Sequence, residues 1–333
     1  MRSKKNVETV KLDKGETLTK AFDNYVDMAE NAVDWTLFCS YQLKPDFSEG
    51  IYKMLQLPSM QIVYTDMGGG IMFDYVSPEG SVTFSIMKNL AGKACIDQMK
   101  LETDMIIVTD DTKIYNLTCS GQVEFLDISL NQNADPKLRQ KLREAVDKYF
   151  IDHDQKMAQL IKGFIRKYAQ NSPLDTQTSM QIEAEITEAM LKLLEEQEAQ
   201  TPYFTKSEKI ALEIKQRLFK HMDGKMCIND LAKDYTISTK SLQNAFRSLF
   251  DISPHTFTRL LKLNLVHHEL IHSSASENSV QSIARKWGFV HMGRFSKYYA
   301  ELFGENPSHT LKADIPKIDG MHTHCVERQE EME

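Results

Sequence analysis

The sequence lacks any apolar run that approaches the about 20 residues needed to cross a bilayer, and its aliphatic stretches, such as 105–108, are far shorter. The basic residues near its start are not followed by an apolar stretch, so we expect no secretory signal. Its five cysteines form no Cys-x-x-Cys pair, which favours reduced thiols over a disulfide framework. These absences predict a cytoplasmic protein with no membrane partner.

Two other residue types are missing from the first part of the chain. All ten histidines lie at or after His153, and arginine is absent between Ser3 and Leu138. A strand-rich region without histidine cannot form the usual metal ligand set of a β-barrel enzyme, so we predict no enzymatic activity and no cofactor. Because arginine is the preferred bidentate partner of phosphate and carboxylate, its absence disfavours a nucleotide or a diacid ligand, although lysines such as Lys88, Lys93 and Lys100 leave that alternative open.

Methionine and aromatic residues are plentiful in the same region, and they suit a small apolar effector because methionine adapts to irregular shapes. The candidates are Met60, Met67, Met72, Phe73, Tyr75, Phe84 and Met87. Each of them also suits an ordinary hydrophobic core, so the pattern alone leaves both interpretations open.

The net charge of −7 and the isoelectric point near 5.9 argue against a nucleic-acid partner only if the chain is treated as one body. Residues 206–313 hold 16 Lys and Arg against 10 Asp and Glu, a net of +6. The preceding residues and the tail 314–333 are both acidic. This asymmetry indicates a nucleic-acid partner for the basic block alone.

The distribution of strand-like and helix-like patterns along the sequence predicts an α+β protein with two domains. Residues about 35–130 alternate short β-branched and aromatic runs with turn residues, which is typical of a sandwich or small barrel. A short helix is expected around 18–32, and helical spacing dominates about 136–199, with Asp135 as N-cap and Pro136 at the first helical position. The apolar stripes of these helices predict either core packing or a dimer seam.

One pattern appears twice in the basic block. Each copy has a short helix with an apolar-Ala pair, a tight turn and a second helix, as expected of a helix-turn-helix. Ala232 and Ala284 are the small residues where two helices would cross. Gly288 suits the left-handed turn of the second copy, whereas Thr236 occupies the equivalent place in the first copy and fits less well. A connector helix from about 254 to 272 separates the copies.

Residues 206–312 resemble the DNA-binding domain of the AraC/XylS family of bacterial transcription regulators. The resemblance is carried by the first copy and by three segments of the second, 283–289, 293–299 and 303–308, and the second copy is similar to the branch that regulates ethanolamine utilisation. The sequence departs from the family pattern at Thr236, where glycine is common, and at 310–311, where Tyr-Arg is common. The resemblance implies a cupin-like β-barrel with flanking helices before an all-α domain with two helix-turn-helix units.

The resemblance also implies which residues contact DNA. On the first recognition helix they are Lys240, Gln243, Asn244 and Arg247, and at the second they are His291, Met292, Gly293, Arg294 and Lys297. Ser238 is predicted separately as the N-cap of the first recognition helix, where the exposed amides and the helix dipole favour a phosphate. Gln and Asn pair with adenine, and Arg and Lys with guanine, whereas Met292 and Gly293 offer only apolar contact or close approach. We therefore expect the first helix to read more bases than the second.

The predicted organisation is an effector-binding and dimerisation domain over 1–203, a DNA-binding domain over 204–312 and a flexible acidic tail over 313–333. The predicted function is an effector-responsive, homodimeric activator that binds double-stranded promoter DNA and contacts RNA polymerase. One alternative is a ligand-independent regulator whose N-terminal domain only dimerises or binds a protein. A remoter one is an enzyme with an accessory DNA-binding domain. The tail residues His322, His324 and Cys325 are too loose a cluster to predict a metal site.

Overall fold

The computed structural model of the chain describes residues 12–22, 28, 32, 34–45, 50–168, 173–220, 228, 233–276 and 278–312. Antiparallel β-sheets fill the first part of the chain, and the last part is helical, which confirms the predicted α+β class. No helix within these ranges is both long and apolar enough to span a membrane. The acidic tail 313–333, with His322, His324 and Cys325, lies outside the described residues.

The strands form two antiparallel sheets that face each other, the arrangement predicted as a cupin-like barrel. They are β1 (Thr17–Phe22), β2 (Thr36–Gln42), β3 (Gly50–Gln56), β4 (Met60–Met67), β5 (Ile71–Val76), β6 (Val82–Leu90), β7 (Ala94–Ile96), β8 (Met99–Leu101), β9 (Met105–Asp110), β10 (Tyr115–Cys119), β11 (Val123–Leu130) and β12 (Tyr149–Ile151). The larger sheet has the order β1-β3-β4-β11-β6-β9-β12, and the smaller one has the order β2-β5-β10-β7-β8.

Strand pairing extends beyond the range 35–130 at both ends. Thr17–Phe22 is a strand paired with β3, where a helix was expected for 18–32, and Tyr149–Ile151 is a strand paired with β9. Asp147 adopts a left-handed φ of 63°, which turns the chain out of the helical stripe before Tyr149. In both places a free sheet edge decides the backbone conformation, because tertiary pairing outweighs weak local propensity.

The helices are α1 (Pro136–Glu144), α2 (Lys156–Tyr168), α3 (Thr176–Glu196), α4 (Lys206–Lys220), α5 (Thr239–Phe250), α6 (Pro254–His272), α7 (Val280–Lys286), α8 (Met292–Phe303) and α9 (Pro307–Lys312). Asp135 caps α1 as predicted, since its carboxylate accepts a hydrogen bond from the Leu138 N–H at 2.8 Å. The apolar faces of α1, α2 and α3 pack on the larger sheet, so their stripes form core.

Alternate residues of β11 show how the larger sheet divides the interior. Leu126, Ile128 and Leu130 are fully buried under the helices. Phe125 and Asp127 point to the opposite face, toward the smaller sheet. A single strand therefore supplies side chains both to the helix-covered core and to the space between the sheets.

Helix α4 begins at a capping box and joins the helical domain to the smaller sheet. Thr205 N–H donates to the Glu208 carboxylate at 3.0 Å and Glu208 N–H donates to the Thr205 hydroxyl at 3.3 Å, which are the two reciprocal bonds of such a cap. Lys100 of β8 lies 2.5 Å from the same carboxylate. Although burial opposes ionisation, the hydrogen bonds from Lys100, Ser248 and Thr205 lower the pKa of Glu208 to about 2.

A second polar contact joins α6 to the edge strand β2. Asn264, which is fully buried, accepts a hydrogen bond from the Gln42 N–H at 2.7 Å and donates to the Gln42 carbonyl at 2.8 Å. The Gln42 side chain donates to the Leu302 carbonyl of α8 at 2.8 Å. The Asn264 amide thus pairs with the strand edge as a neighbouring peptide group would, and it fixes the helical domain on the sheet.

Candidate nucleic-acid interface

The second helix-turn-helix unit consists of α7, a turn and α8. Ala284 is fully buried, which lets the two helices cross closely. Gly288 has a left-handed φ of 85°, and the Phe289 N–H donates to the Ala284 carbonyl at 3.0 Å. The backbone therefore confirms the predicted roles of Ala284 as the small residue at the helix crossing and of Gly288 as the left-handed residue of the turn.

The turn of the first unit has the same left-handed backbone as that of the second, with a less suitable residue. Residues 229–232, which include Ala232, lie outside the described residues. Thr236 has a left-handed φ of 52°, as Gly288 has in the second copy. For a β-branched side chain this conformation is strained, because Cβ approaches the following carbonyl oxygen. The turn needs a residue in the left-handed conformation, and Thr236 adopts it with conformational strain that lowers the stability of the fold.

We expect Thr236→Gly to raise the free energy of unfolding by about 0.5–1 kcal/mol. Relief of about 1–2 kcal/mol of left-handed strain exceeds the entropy that glycine adds to the unfolded chain. Denaturant unfolding of the full chain measures the change. The matched control is Gly288→Thr, which places the same strain in the second turn and should destabilise by about 1–2 kcal/mol. A Thr236→Gly protein no more stable than wild type would contradict the strain.

The predicted contact residues of α5 lie along one exposed face. Lys240, Gln243, Asn244 and Arg247 recur at helical spacing of three and four residues, and all but the half-buried Gln243 are exposed. The opposite face, with Leu242 and Phe246, is buried in the core.

The start of α5 can receive a phosphate. Ser238 is the N-cap, and its hydroxyl oxygen accepts a hydrogen bond from the Ser241 N–H at 3.0 Å. The first-turn amides and the helix dipole there favour an anion.

The exposed face of α8 carries fewer hydrogen-bonding side chains than that of α5. Arg294 and Lys297 are exposed, and Lys297 lies 3.7 Å from the Glu301 carboxylate on the same helix. Met292 is half-buried against the core, and a Cβ on Gly293 would meet no atom within 4 Å. His291 occupies the N-cap position without a side-chain hydrogen bond to the helix. Fewer groups on α8 can make directional bonds to bases.

Contacts that the sequence did not predict fix the second unit on the connector α6. Arg259 lies over the Tyr298 ring, 4.3 Å from its centre. The Trp287 indole N–H donates to the Glu269 carboxylate at 2.7 Å, and Lys286 pairs with that carboxylate at 2.9 Å. Trp287 within the repeated motif was the available signal, but its partner on α6 depends on how the helices pack.

The connector sets the separation of the two units. Helix α6 has 19 residues, which at 1.5 Å per residue gives a length of roughly 28 Å. Its buried residues include Phe257 near its start, which packs against Phe246 and Phe250 of α5 with ring centres 5.7 and 5.3 Å away. A rigid rod of this length suits two units entering successive major grooves, whose centres are about 34 Å apart.

A cavity of about 80 Å³ lies between the two sheets, remote from the recognition helices in the chain. Met67, Phe73, Tyr75 and Met87 of the predicted apolar set line it. The other three, Met60, Met72 and Phe84, pack in hydrophobic cores instead. Asp127 also lines the cavity. No sequence pattern predicted this position, because a single acidic residue in a strand is usually exposed to solvent.

Comparison with known proteins places matches in the C-terminal part of the chain. The family model described as a helix-turn-helix domain matches residues 231–313. The chain is 33% identical over 97 residues to the XylDLEGF operon transcriptional activator of Pseudomonas putida, covering 29% of this chain and 30% of that protein. It is 27% identical over 92 residues to a probable thc operon regulatory protein of Rhodococcus erythropolis, covering 28% of each. The chain thus spans less than a third of the length of these relatives.

Among solved structures, the chain is similar to the AraC-like transcriptional activator CuxR, with a TM-score of 0.37 and 10% identity over 81% of this chain and 91% of that one. It is also similar to ToxT from Vibrio cholerae O395, with a TM-score of 0.28 and 10% identity over 84% of this chain and 97% of that one.

Proposed function

We propose that this chain, whose residues 231–313 form a helix-turn-helix domain of the AraC/XylS type, is a DNA-binding transcription regulator that reads successive major grooves of promoter DNA. The observation that carries the proposal is the pair of exposed recognition helices, α5 and α8, held by one connector helix within the basic block. The regulator acts in the cytoplasm. Residues 1–203 form its sensing domain, and residues 204–312 form its DNA-binding domain.

Within this proposal the two recognition helices have different tasks. Gln243 and Asn244 of α5 read adenine edges, Lys240 reads guanine and Arg247 holds a phosphate, while the N-terminus of α5 at Ser238 binds another phosphate. On α8, Arg294 and Lys297 read guanine, His291 lies at the helix start, and Met292 and Gly293 make apolar or close contacts.

The regulator is responsive to an effector held in the cavity between the sheets. That cavity favours this function over a regulator whose N-terminal domain only dimerises or binds a protein. An effector acts through the contacts that join the smaller sheet to α4 and α6, including Lys100–Glu208 and Gln42–Asn264. The names of the curated relatives, which are regulators of operons, support a non-enzymatic role.

Self-association and contact with RNA polymerase complete the proposal. A homodimer would bring four recognition helices to one promoter. Helix α3 on the outside of the larger sheet carries Met180, a large apolar side chain that is 60% exposed. Such a side chain suits the edge of a subunit contact, and an activator of this kind recruits the polymerase from its DNA-bound position.

We expect the affinity of the full chain for its own promoter region to fall linearly with salt on logarithmic axes, by a slope of about 0.9 for each phosphate neutralised. A fluorescence-anisotropy titration at several salt concentrations measures the slope. Unrelated DNA of equal length is the control, and it should bind more weakly at every salt concentration. Affinity that is independent of salt, or equal for both DNAs, would contradict the proposed function.

A further inference from the structure

The cavity between the sheets carries a charge of one sign. Among the described residues that line it, Asp127 is the side chain with a formal charge, and no lysine or arginine is present. Asp127 is half-buried and lies on the face of β11 that lines the cavity. Its β11 backbone pairs with Val63 and Ser85 of the neighbouring strands.

Aromatic rings line the same cavity as this carboxylate. Trp35, Tyr52, Phe73, Tyr75 and Phe125 line the cavity from both sheets. The Trp35 and Tyr75 rings are tilted with centres 5.6 Å apart, and those of Phe73 and Tyr75 are 6.0 Å apart. Ring faces attract a cation and repel an anion, and the attraction is larger where water is excluded.

The described lining of the cavity disfavours an anionic ligand. An anionic ligand entering here would find no positive partner among the described lining residues. A buried carboxylate without a cation is itself costly, and a ligand that supplies the cation removes that cost.

We propose that the cavity binds a small amine in its protonated form, with the ammonium group paired to Asp127 and an apolar body packed against the aromatic rings. The proposal rests on the proposed effector-responsive function and names the chemical class of the effector. The volume of about 80 Å³ corresponds to roughly five to eight water molecules at about 10–15 Å³ each, so the body is close to one aromatic ring in size.

The protonation state of Asp127 agrees with this pairing. Burial raises the pKa of its carboxyl to about 6, and a hydrogen bond from Ser85 opposes the rise. The other titratable groups that line the cavity are Tyr52 and Tyr75, and burial raises the pKa of Tyr75 well above its usual value. Between pH 5 and pH 7 Asp127 is therefore the lining group that ionises to a negative charge. A bound ammonium group stabilises that carboxylate and so favours its deprotonated form.

Three probes of matched shape test the ligand class: benzylamine, benzyl alcohol and benzoate. Calorimetry on the full chain at pH 7 should show benzylamine binding at least about tenfold more tightly than the alcohol and benzoate most weakly. Asp127→Asn, which keeps the size and removes the charge, should cost benzylamine about tenfold or more and change benzyl alcohol by less than about threefold. Ser85→Ala, which leaves the carboxylate in place, should preserve the preference for the amine.

A measurement without a variant keeps the test independent of folding. Wild-type affinity for benzylamine should rise about tenfold from pH 5 to pH 7 as Asp127 ionises, whereas benzyl alcohol affinity should stay flat. Absent benzylamine binding, preference for benzoate, or equal amine affinity in Asp127→Asn would each overturn the proposal. Promoter binding is measured separately, so that the two proposals can fail independently. Promoter binding without amine binding would contradict the proposed ligand class and leave the proposed function intact. Amine binding without promoter binding would contradict the proposed function and leave the ligand class intact.

Discussion

Replacing both Gln243 and Asn244 with alanine is expected to lower promoter affinity by about 2–6 kcal/mol, which is about thirtyfold to about twenty-thousandfold. Each amide can make a bidentate pair with adenine, and each good pair contributes about 1–3 kcal/mol of discrimination. The helix itself should be unharmed, because Asn244 is exposed, Gln243 is half-buried and alanine is the strongest helix former. Anisotropy titration against promoter and unrelated DNA gives both affinities.

The double variant should lose specificity more than non-specific affinity, since the phosphate contacts of Arg247 and of the α5 N-terminus at Ser238 remain. The matched control is Gln140→Ala with Gln159→Ala, two exposed amides on α1 and α2 in the N-terminal part of the chain, which should leave promoter affinity unchanged. Promoter affinity within twofold of wild type in the Gln243/Asn244 variant would remove α5 from the recognition surface.

The second large effect is expected at Asn264. Asn264→Leu keeps the number and branching of the side-chain heavy atoms but leaves the Gln42 N–H and carbonyl without their partners inside a buried contact. Each unsatisfied group costs about 1–3 kcal/mol, so the free energy of unfolding should fall by about 2–5 kcal/mol. Denaturant unfolding measures this loss, and limited proteolysis between the domains measures how far they separate.

The domain contact predicts two distinguishable outcomes for this variant. If the domains part to hydrate Gln42, proteolysis accelerates and the transition splits in two; if they stay together, one transition moves to lower denaturant. Asn133→Leu is the matched control, because Asn133 is exposed and its replacement should change stability by less than about 0.5 kcal/mol. Wild-type stability together with wild-type proteolysis in Asn264→Leu would show that the amide does not hold the domains.

The helix-turn-helix units illustrate how much of the site the sequence predicts. Backbone geometry within about ten residues requires a small residue at Ala284, a left-handed residue at Gly288 and an N-cap at Ser238. The sequence therefore predicts these three features without a structure. The exposed face of α5 follows from helical spacing alone. The base contacts of individual residues remain predictions, because they depend on how the domain docks on DNA.

Two strands show where sequence reasoning failed. Thr17–Phe22 and Tyr149–Ile151 carry only a few residues each, and their local patterns are compatible with helix. They become strands because β3 and β9 offer them free edges. Edge pairing of this kind is a tertiary event, and short segments have too little periodicity to record it.

The sequence by itself determined the duplicated helix-turn-helix, the basic block around it and the order of strands before helices, because capping, turn chemistry and periodicity act over short stretches of chain. The tertiary structure decided the rest. It brought Asn264 to Gln42, 222 residues earlier, and it turned Asp127 inward among aromatic rings. Neither placement has a local signature, since each depends on which surfaces pack together and on which polar groups that packing leaves to be paired.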